Sequence, residues 1–160
     1  MTSFGDLYSR YAADVFRFAL YLSGNRAEAE DITSETFVRA WMAPEPIRMA
    51  TVKGYLFTIA RNLFLQGRRR TSRQVELSEE LKDPAAGPHV RAEHNSELAL
   101  ALAALQRLPE VDRAALLMRA EDEMPYDEIA RALGISLASV KVKIHRARLA
   151  LARIREESQA

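Results

Sequence analysis

The stretch PYDEIARALGISLASVK, from Pro125 to Lys141, has the pattern of two short helices joined by a tight turn. Pro125 suits the first turn of a helix, because the N–H that proline lacks would have no partner there. Gly134 stands where this helix must end, since glycine adopts positive φ at little cost. Ser136 can then cap the helix that follows. The pattern predicts a helix-turn-helix, a motif that places its second helix in the major groove of DNA.

The helix after this turn is amphipathic, and its polar side is basic. Its apolar residues repeat at intervals of four and three and predict one buried stripe: Val140, Ile144, Ala147, Leu151 and Ile154. From Lys141 to Arg155 the chain has no acidic residue. Cations on the flanks can meet phosphates while the outer face meets base edges. The alternative is a solvated amphipathic helix with a basic face.

The candidate DNA-contacting residues of this helix are Ser139, Lys141, Val142, Lys143, His145, Arg146 and Arg148. Lys141 and Lys143 lie toward the end that usually enters the groove. Arg146 is the predicted base contact, because its planar fork can reach guanine O6 and N7 together. Arg148 is the predicted phosphate contact. Val142 faces outward and can touch a thymine methyl group.

Composition narrows the class of protein. The chain has 160 residues, a formal net charge of +1 and no Cys, so a nucleic-acid surface must be local and disulfides are excluded. The first 25 residues carry charges from Asp6 to Arg17, which is unlike a signal peptide. No run approaches the roughly 20 apolar residues of a membrane span. We therefore expect a cytoplasmic protein with no membrane insertion.

Helical periodicity recurs along most of the chain, and strand alternation is absent. The first predicted helix ends at Gly24, and Asn25 with Glu28 resembles a capping box that opens a second helix to about Trp41. Thr51 is the predicted cap of a third helix, which ends in the segment QGRRR, residues 66–70. Helicity resumes near Leu98, and Pro109 opens a further helix.

Residues 71–95 lack this periodicity. Within them, DPAAGP (residues 83–88) and an excess of acidic residues predict a flexible acidic linker. The predicted fold is therefore all-α, with two small helical domains at residues 1–70 and 96–160 joined by that linker. The second domain is the helix-turn-helix.

The first domain separates its charges. Glu28, Glu30, Asp31 and Glu35 lie on the second helix, whereas Arg61 and the cluster Arg68, Arg69, Arg70 and Arg73 lie on the third. Phosphates repel an acidic face, so the second helix suits a basic protein surface and the arginines suit nucleic acid. Both sets are also explained by the helix dipole, which favours acids near a helix N-terminus and bases near a C-terminus.

These segments resemble bacterial sigma factors of the extracytoplasmic-function (ECF) group. EAEDITSETFVRAW (residues 28–41) is similar to region 2.2, and YLFTIARNL (residues 55–63) with Arg68 to Arg70 is similar to regions 2.3 and 2.4. LPE (108–110), YDEIA (126–130), LGIS (133–136), and the run from VK at 140–141 to HRAR at 145–148 are similar to region 4. The resemblance covers both predicted domains in the family's order.

The resemblance implies a promoter-specificity subunit of RNA polymerase. Region 2.2 of the family docks on the β′ coiled coil of the core enzyme, which assigns that contact to Asp31 and Glu35, with Glu28 beside them. The loop after Trp41 and the next helix would recognise the −10 element. The corresponding candidates are Lys53, Arg61, Asn62, Arg68, Arg69 and Arg70. Region 4 would bind the −35 element as duplex and contact the β flap.

The same resemblance implies two further features. The acidic linker would thread the active-site cleft and RNA exit path of the polymerase. An anti-sigma factor is an expected partner, because family members are often held inactive by one. The chain departs from the family pattern at Glu123, where glycine is usual and positive φ is costly for another residue, and at Pro125, where a serine cap is common.

Two other classes of function fit the sequence less well. A stand-alone helix-turn-helix regulator would need a dimer interface or a sensor domain, and no segment indicates either. A small helical enzyme would need a reactive constellation. The three His, at positions 89, 94 and 145, and the lack of Cys give no metal-ligand pattern. There is also no phosphate-binding glycine loop or Ser/His/Asp pattern. We therefore expect no catalytic residue, metal or cofactor.

Overall fold

The computed structural model describes residues 3–43, 51–77 and 96–159, and within them it contains seven α-helices and no strand. The helices are α1 (Phe4–Ser23), α2 (Arg26–Met42), α3 (Val52–Leu77), α4 (Ser96–Gln106), α5 (Glu110–Asp122), α6 (Tyr126–Leu133) and α7 (Leu137–Gln159). The predicted all-α class is confirmed. The segments at residues 44–50 and 78–95 lie outside the described residues, and with them most of the predicted linker.

The first three helices form a small bundle whose turns follow the sequence signals. Gly24 ends α1 in the left-handed region, with φ of 70°, as predicted. The side chain of Asn25 then accepts a hydrogen bond from the Glu28 N–H at 3.0 Å and caps α2. Between the helices, the rings of Phe18 and Phe57 stack with centroids 4.6 Å apart in the core. This bundle therefore holds α2 and α3 side by side.

Helix α3 is longer than the sequence predicted. Thr51 caps it as expected, through a 3.0 Å hydrogen bond from the Gly54 N–H to the Thr51 hydroxyl. The predicted end at Arg70 is wrong, because α3 continues through Gly67 to Leu77. Residues 71–77 contain no proline or glycine and so nothing that stops a helix. The tether between the two halves can begin only after Leu77, not at residue 71.

The last four helices contain the predicted helix-turn-helix as α6, a turn and α7. Gly134 ends α6 with φ of 69°, and the Ser139 N–H donates to the Ser136 hydroxyl at 3.1 Å to cap α7. Ile129 of α6 and Val140 of α7 are both buried at the junction. Helix α7 is therefore fixed against α6 by residues of the predicted motif.

The turn between α5 and α6 adopts the conformation that glycine would favour. Glu123 has φ of 51°, in the left-handed region, and its N–H bonds to the Arg119 carbonyl. Arg119 Nη1 in turn donates to the carbonyls of Glu123, at 3.4 Å, and Met124, at 3.1 Å. The turn thus keeps positive φ without a glycine, held by a side chain from the preceding helix.

The two halves of the molecule pack directly on each other, which the sequence did not predict. Helix α1 packs against α4 and α5, and α3 packs against α6. One continuous hydrophobic core runs through both halves, from Val15 in α1 to Ala147 in α7. At one edge Gln106 donates to the Tyr21 carbonyl at 3.1 Å, and a Cβ on Gly24 would approach the Gln106 side chain to 2.9 Å. The described chain is therefore one closed body.

No helix within residues 3–43, 51–77 and 96–159 is both long enough and apolar enough to cross a membrane.

Candidate docking and nucleic-acid interfaces

The acidic surface of α2 is exposed at its two predicted docking residues. Asp31 and Glu35 are both exposed, one helical turn apart, and Glu35 forms a 3.0 Å ion pair with Arg39. Glu28 differs, because it is partly buried and lies 3.7 Å from Arg68. Burial raises the pKa of the Glu28 carboxyl above its ordinary value, and the charge of Arg68 offsets part of this effect. Asp31 and Glu35 are thus accessible to a partner, although Glu35 also pairs with Arg39, whereas Glu28 belongs to the α2–α3 packing.

An open groove of about 650 Å³ runs between α2 and α3 beside these acids. Asp31, Glu35 and Val38 line one wall, and Gln66 and Arg70 line the other. A groove with carboxylates on one side and an exposed arginine on the other suits a partner helix that carries its own charges. It lies on the face predicted to dock on a protein.

Exposed aromatic residues extend the surface at the end of α2. The Trp41 ring lies edge-on to Phe4, with centroids 5.8 Å apart, and Phe4 stacks near Tyr8 at 6.2 Å. Trp41, Phe4, Tyr8 and Met42 are all exposed. Sequence reasoning treated Trp41 only as the end of a helix and missed the cluster. The aromatic content of the first 42 residues was the available signal, but it does not distinguish an exposed ring from a core ring.

The six candidates for −10 contact do not form one surface. Asn62, Arg69 and Arg70 are exposed on α3. Arg68 turns back onto its own module, donating to the Ser23 carbonyl at 3.1 Å and lying over the Phe64 ring at 4.8 Å. Of the remaining two, Arg61 pairs with an acid of the other half, whereas Lys53 pairs within its own half.

Arg61 is buried at the junction between the halves of the molecule. Its Nε and Nη2 donate to the two carboxylate oxygens of Glu110 on α5, at 2.9 and 2.7 Å. Lys53 lies 3.6 Å from Asp14 of α1. The expectation that Arg61 is displayed to DNA is not met in this closed arrangement, because an acid from the other half occupies its guanidinium group.

Two more polar contacts join the halves. Thr51 donates both its N–H, at 3.1 Å, and its hydroxyl, at 2.6 Å, to the buried carboxylate of Glu128 on α6. Arg17 of α1 forms a 2.9 Å ion pair with Glu121 of α5. The acids on this side, Glu110, Glu121 and Glu128, were not among the predicted site residues. Each is an ordinary helix acid in sequence, and only the packing of the two halves gives it a partner.

Helix α7, the predicted DNA-recognition helix, displays the predicted outer face. Lys141, Val142, His145 and Arg148 are exposed, with Val142 59% exposed, whereas Ser139 and Lys143 are partly buried. Val140, Ile144 and Ala147 are buried, as the apolar stripe predicted. The face opposite the stripe therefore presents two cations, an imidazole and an apolar side chain, which are suitable groups for a DNA groove.

Arg146 has a partner that the sequence did not suggest. Its Nε and Nη2 donate to the two oxygens of Asp112 on α5 at 2.7 and 2.8 Å, and this hydrogen-bonded charge raises the pKa of Arg146. Lys143 Nζ lies 4.0 Å from the same carboxylate. One edge of the predicted base-contacting guanidinium group is therefore occupied within the protein.

Nothing in the described part of the chain forms a cluster of His, Cys, Asp or Glu side chains suited to a metal ion. The two surfaces that the geometry supports are thus the acidic groove of α2 and α3, suited to a protein, and the outer face of α7, suited to duplex DNA.

Two family models match the chain in the order of its two halves. The model for Sigma-70 region 2 matches residues 7–74, and the model for Sigma-70, region 4 matches residues 98–151.

Curated relatives match along nearly the whole chain. The ECF RNA polymerase sigma factor SigM of Bacillus subtilis is 32% identical over 145 residues, which cover 89% of this chain and 89% of the relative. SigL of Mycobacterium tuberculosis is 33% identical, covering 91% and 84%. SigE of Mycolicibacterium smegmatis is 39% identical over 153 residues, covering 92% of this chain but only 60% of the relative's length.

Two solved structures share the fold. The sigma factor RpoE of Bartonella quintana, crystallised with the anti-sigma factor NepR, superposes with a TM-score of 0.80 at 23% identity, over 98% of each chain. CnrH, solved in complex with the cytosolic domain of CnrY, gives a TM-score of 0.69 at 24% identity, over 96% of this chain and 88% of that one. The arrangement of helices is thus one that known proteins adopt.

Proposed function

Because this chain belongs to the ECF group of RNA polymerase sigma factors, it directs promoter-specific initiation by core RNA polymerase, and we propose how its surfaces divide that task. The supporting observation is the separation of charge on the two halves. Exposed acids border the α2–α3 groove, and exposed cations and an apolar side chain occupy the outer face of α7. A surface of each kind suits one partner, a protein in the first case and DNA in the second.

The proposed docking site for core polymerase is the acidic face of α2, centred on Asp31 and Glu35. Both carboxylates are exposed, and the adjacent open groove of about 650 Å³ is the proposed contact surface for a helix of the β′ coiled coil. Glu28, which pairs with Arg68, contributes to holding α2 against α3. An interface of this type relies on complementary charge, so reversing the charge of the acids should abolish association.

Contact with the −10 element is proposed for the exposed side of α3. Asn62, Arg69 and Arg70 are available there, and Arg68 can join them if it leaves the Ser23 carbonyl. Lys53 is partly exposed and lies 3.6 Å from Asp14 of its own half, so it remains a candidate in the closed form. Arg61 can contribute only when the two halves separate, because its side chain pairs with Glu110 of the other half. We propose that promoter engagement includes this separation.

Contact with the −35 element is proposed for α7, and region 4 as a whole would also contact the β flap. Lys141, Val142 and His145 face outward and form the proposed groove-facing set, with Arg148 as a phosphate contact. Arg146 is proposed as a base contact through the part of its guanidinium group that Asp112 leaves free. Lys143 and Ser139 lie at the margin of this face.

Partners and setting follow from the family. Core RNA polymerase and promoter DNA are the proposed partners, and the cytoplasm, where the polymerase acts, is the proposed compartment. An anti-sigma factor is a further proposed partner, supported by the complex of RpoE with the anti-sigma factor NepR. The role is regulatory and needs no catalytic residue of its own. The tether after Leu77 would run through the polymerase to join the two bound halves.

The test is transcription in vitro with purified core polymerase over a library of promoters with randomised −10 and −35 elements. The wild-type protein should yield transcripts from a defined subset, whereas the protein without polymerase should not retain any library member in a gel shift. The double variant Asp31→Lys, Glu35→Lys should lose transcription and core affinity while its melting temperature stays near wild type. Sequence-specific retention of DNA by the free protein would instead favour a stand-alone helix-turn-helix regulator.

A further inference from the structure

Asp112 is a buried carboxylate of α5 that holds an arginine of the recognition helix α7. Its side chain is only 1% exposed, in the first turn of α5, and both of its oxygens accept hydrogen bonds from Arg146 of α7. A buried carboxylate is costly unless it is paired and hydrogen-bonded. The pair with Arg146 therefore explains how the Asp112 carboxylate can be buried, and Asp112 in turn fixes the position of the Arg146 guanidinium group.

The pairing uses only one edge of the guanidinium group. Asp112 takes Nε and Nη2, and among the described residues it is the only partner of Arg146. The Arg146 side chain remains 55% exposed. An arginine has five N–H donors in a planar fork, so the edge that includes Nη1 can still donate elsewhere.

We propose that Asp112 is a positioning residue for −35 recognition, holding Arg146 by its Nε edge so that the Nη1 end reaches a base edge in the major groove. This inference rests on the proposed role of α7. A long, flexible side chain loses rotamer freedom when it binds, and the bond to Asp112 removes that freedom before DNA arrives. Asp112 touches no DNA itself, because it is buried.

The charge of Asp112 has a second effect. It lies within 4.0 Å of Lys143 as well as in contact with Arg146, so it neutralises positive charge on one flank of the recognition helix. Phosphates attract unpaired cations regardless of sequence. Asp112 therefore lowers sequence-independent attraction while it directs one cation toward a base.

The two effects give an unusual expectation for Asp112→Asn. Holoenzyme with this variant should bind promoter-free duplex DNA more tightly and with a steeper dependence on salt, because two cations lose their counter-charge. Its preference at one −35 position should fall about tenfold, because Arg146 is no longer oriented. A purely structural role for Asp112 predicts the opposite for affinity, namely weaker binding to every DNA.

The experiment uses holoenzyme reconstituted from core polymerase and the full chain, with −35 variants of a promoter selected by the wild-type protein. Promoter-free duplex serves as the sequence-independent probe. Glu157→Gln is the matched control. It also removes one negative charge, here from the C-terminal end of α7 and from a 3.3 Å surface pair with Arg107, but does not touch the recognition face. The control should leave the −35 preference unchanged.

Arg146→Lys keeps the inference testable if Asp112→Asn does not fold. Lysine retains the charge and can still pair with Asp112, but it lacks the planar fork. It should lose preference at the same −35 position while overall affinity stays near wild type. Unchanged preference in Arg146→Lys, or uniform loss across all −35 sequences in Asp112→Asn, would overturn the inference. If the wild-type holoenzyme selects no promoter at all, the proposed function fails instead.

Discussion

The ion pair between Arg61 and Glu110 should control how often the two halves of the molecule separate. Glu110→Gln removes the charge that compensates a largely buried guanidinium group while keeping the size of the side chain. The side chains are 11% and 21% exposed and share two short hydrogen bonds. Removing one member of a fully buried pair costs about 3–5 kcal/mol, and partial exposure lowers this to about 2 kcal/mol.

A cost of about 2 kcal/mol to the closed form shifts its equilibrium with an open form roughly 30-fold. The chain has no Cys, so thiols introduced at the exposed positions Ser72 and Ala152 can carry a pair of dyes. Single-molecule energy transfer should show a larger low-transfer population in Glu110→Gln than in wild type. If core polymerase binds only the open form, apparent core affinity should rise in the same proportion, up to that limit.

Glu157→Gln again provides the control, because the pair that it breaks lies on the surface of one half of the molecule. It should change neither the energy transfer nor core affinity. The reasoning fails if Glu110→Gln lowers the melting temperature of the whole protein without changing the transfer distribution. That result would mean that the pair stabilises a body that never opens.

Three further perturbations test other features. Glu123→Gly should stabilise the protein by about 1 kcal/mol, because φ of 51° is strained for glutamate, and should raise the melting temperature by roughly 2–4 °C; a lower melting temperature would show that the Glu123 side chain outweighs the strain. Burial raises the pKa of Glu28, so the contribution of this carboxyl to folding stability is fully present below its unfolded pKa of about 4.5 and is lost as pH rises through its folded pKa. Urea titrations should therefore show wild type gaining stability relative to Glu28→Gln as pH falls from 7 toward 4.5. A constant stability difference across this pH range would contradict the assignment. Arg148→Ala should weaken transcription from all −35 variants about equally and make the salt dependence shallower, whereas a loss confined to one base position would make Arg148 a base contact.

Local signals predicted much of this fold because each acts over a few residues. The turns at Gly24 and Gly134 were predictable because glycine adopts positive φ at little cost. The cap at Ser136 was predictable because the first N–H groups of a helix lack a backbone partner. The exposure of Asp31 and Glu35 follows from helical periodicity, since their neighbours Ile32 and Thr36 take the buried side. These parts of the proposed docking surface and of α7 needed no knowledge of tertiary structure.

The missed features depend on residues far apart in sequence. Arg61 finds Glu110 across 49 residues, and Arg146 finds Asp112 across 34. No periodicity in the sequence predicts either pair, because each forms only when helices from different segments pack together. The end of α3 was missed for another reason. Residues 71–77 contain no helix-breaking residue, so the sequence did not show whether the helix stops at Arg70 or continues to Leu77.

The internal pairing of arginines bears on where the free protein spends its time in a cell. A chromosome offers roughly 10⁶–10⁹ sequence-independent sites, and each unpaired cation on a protein adds to its attraction toward all of them. In this molecule Arg61, Arg68 and Arg146 are each turned toward a carboxylate of the same chain. The free subunit would therefore bind bulk DNA only weakly and remain available to polymerase. The assembled enzyme then searches the genome, and chromosomal DNA does not sequester the free subunit.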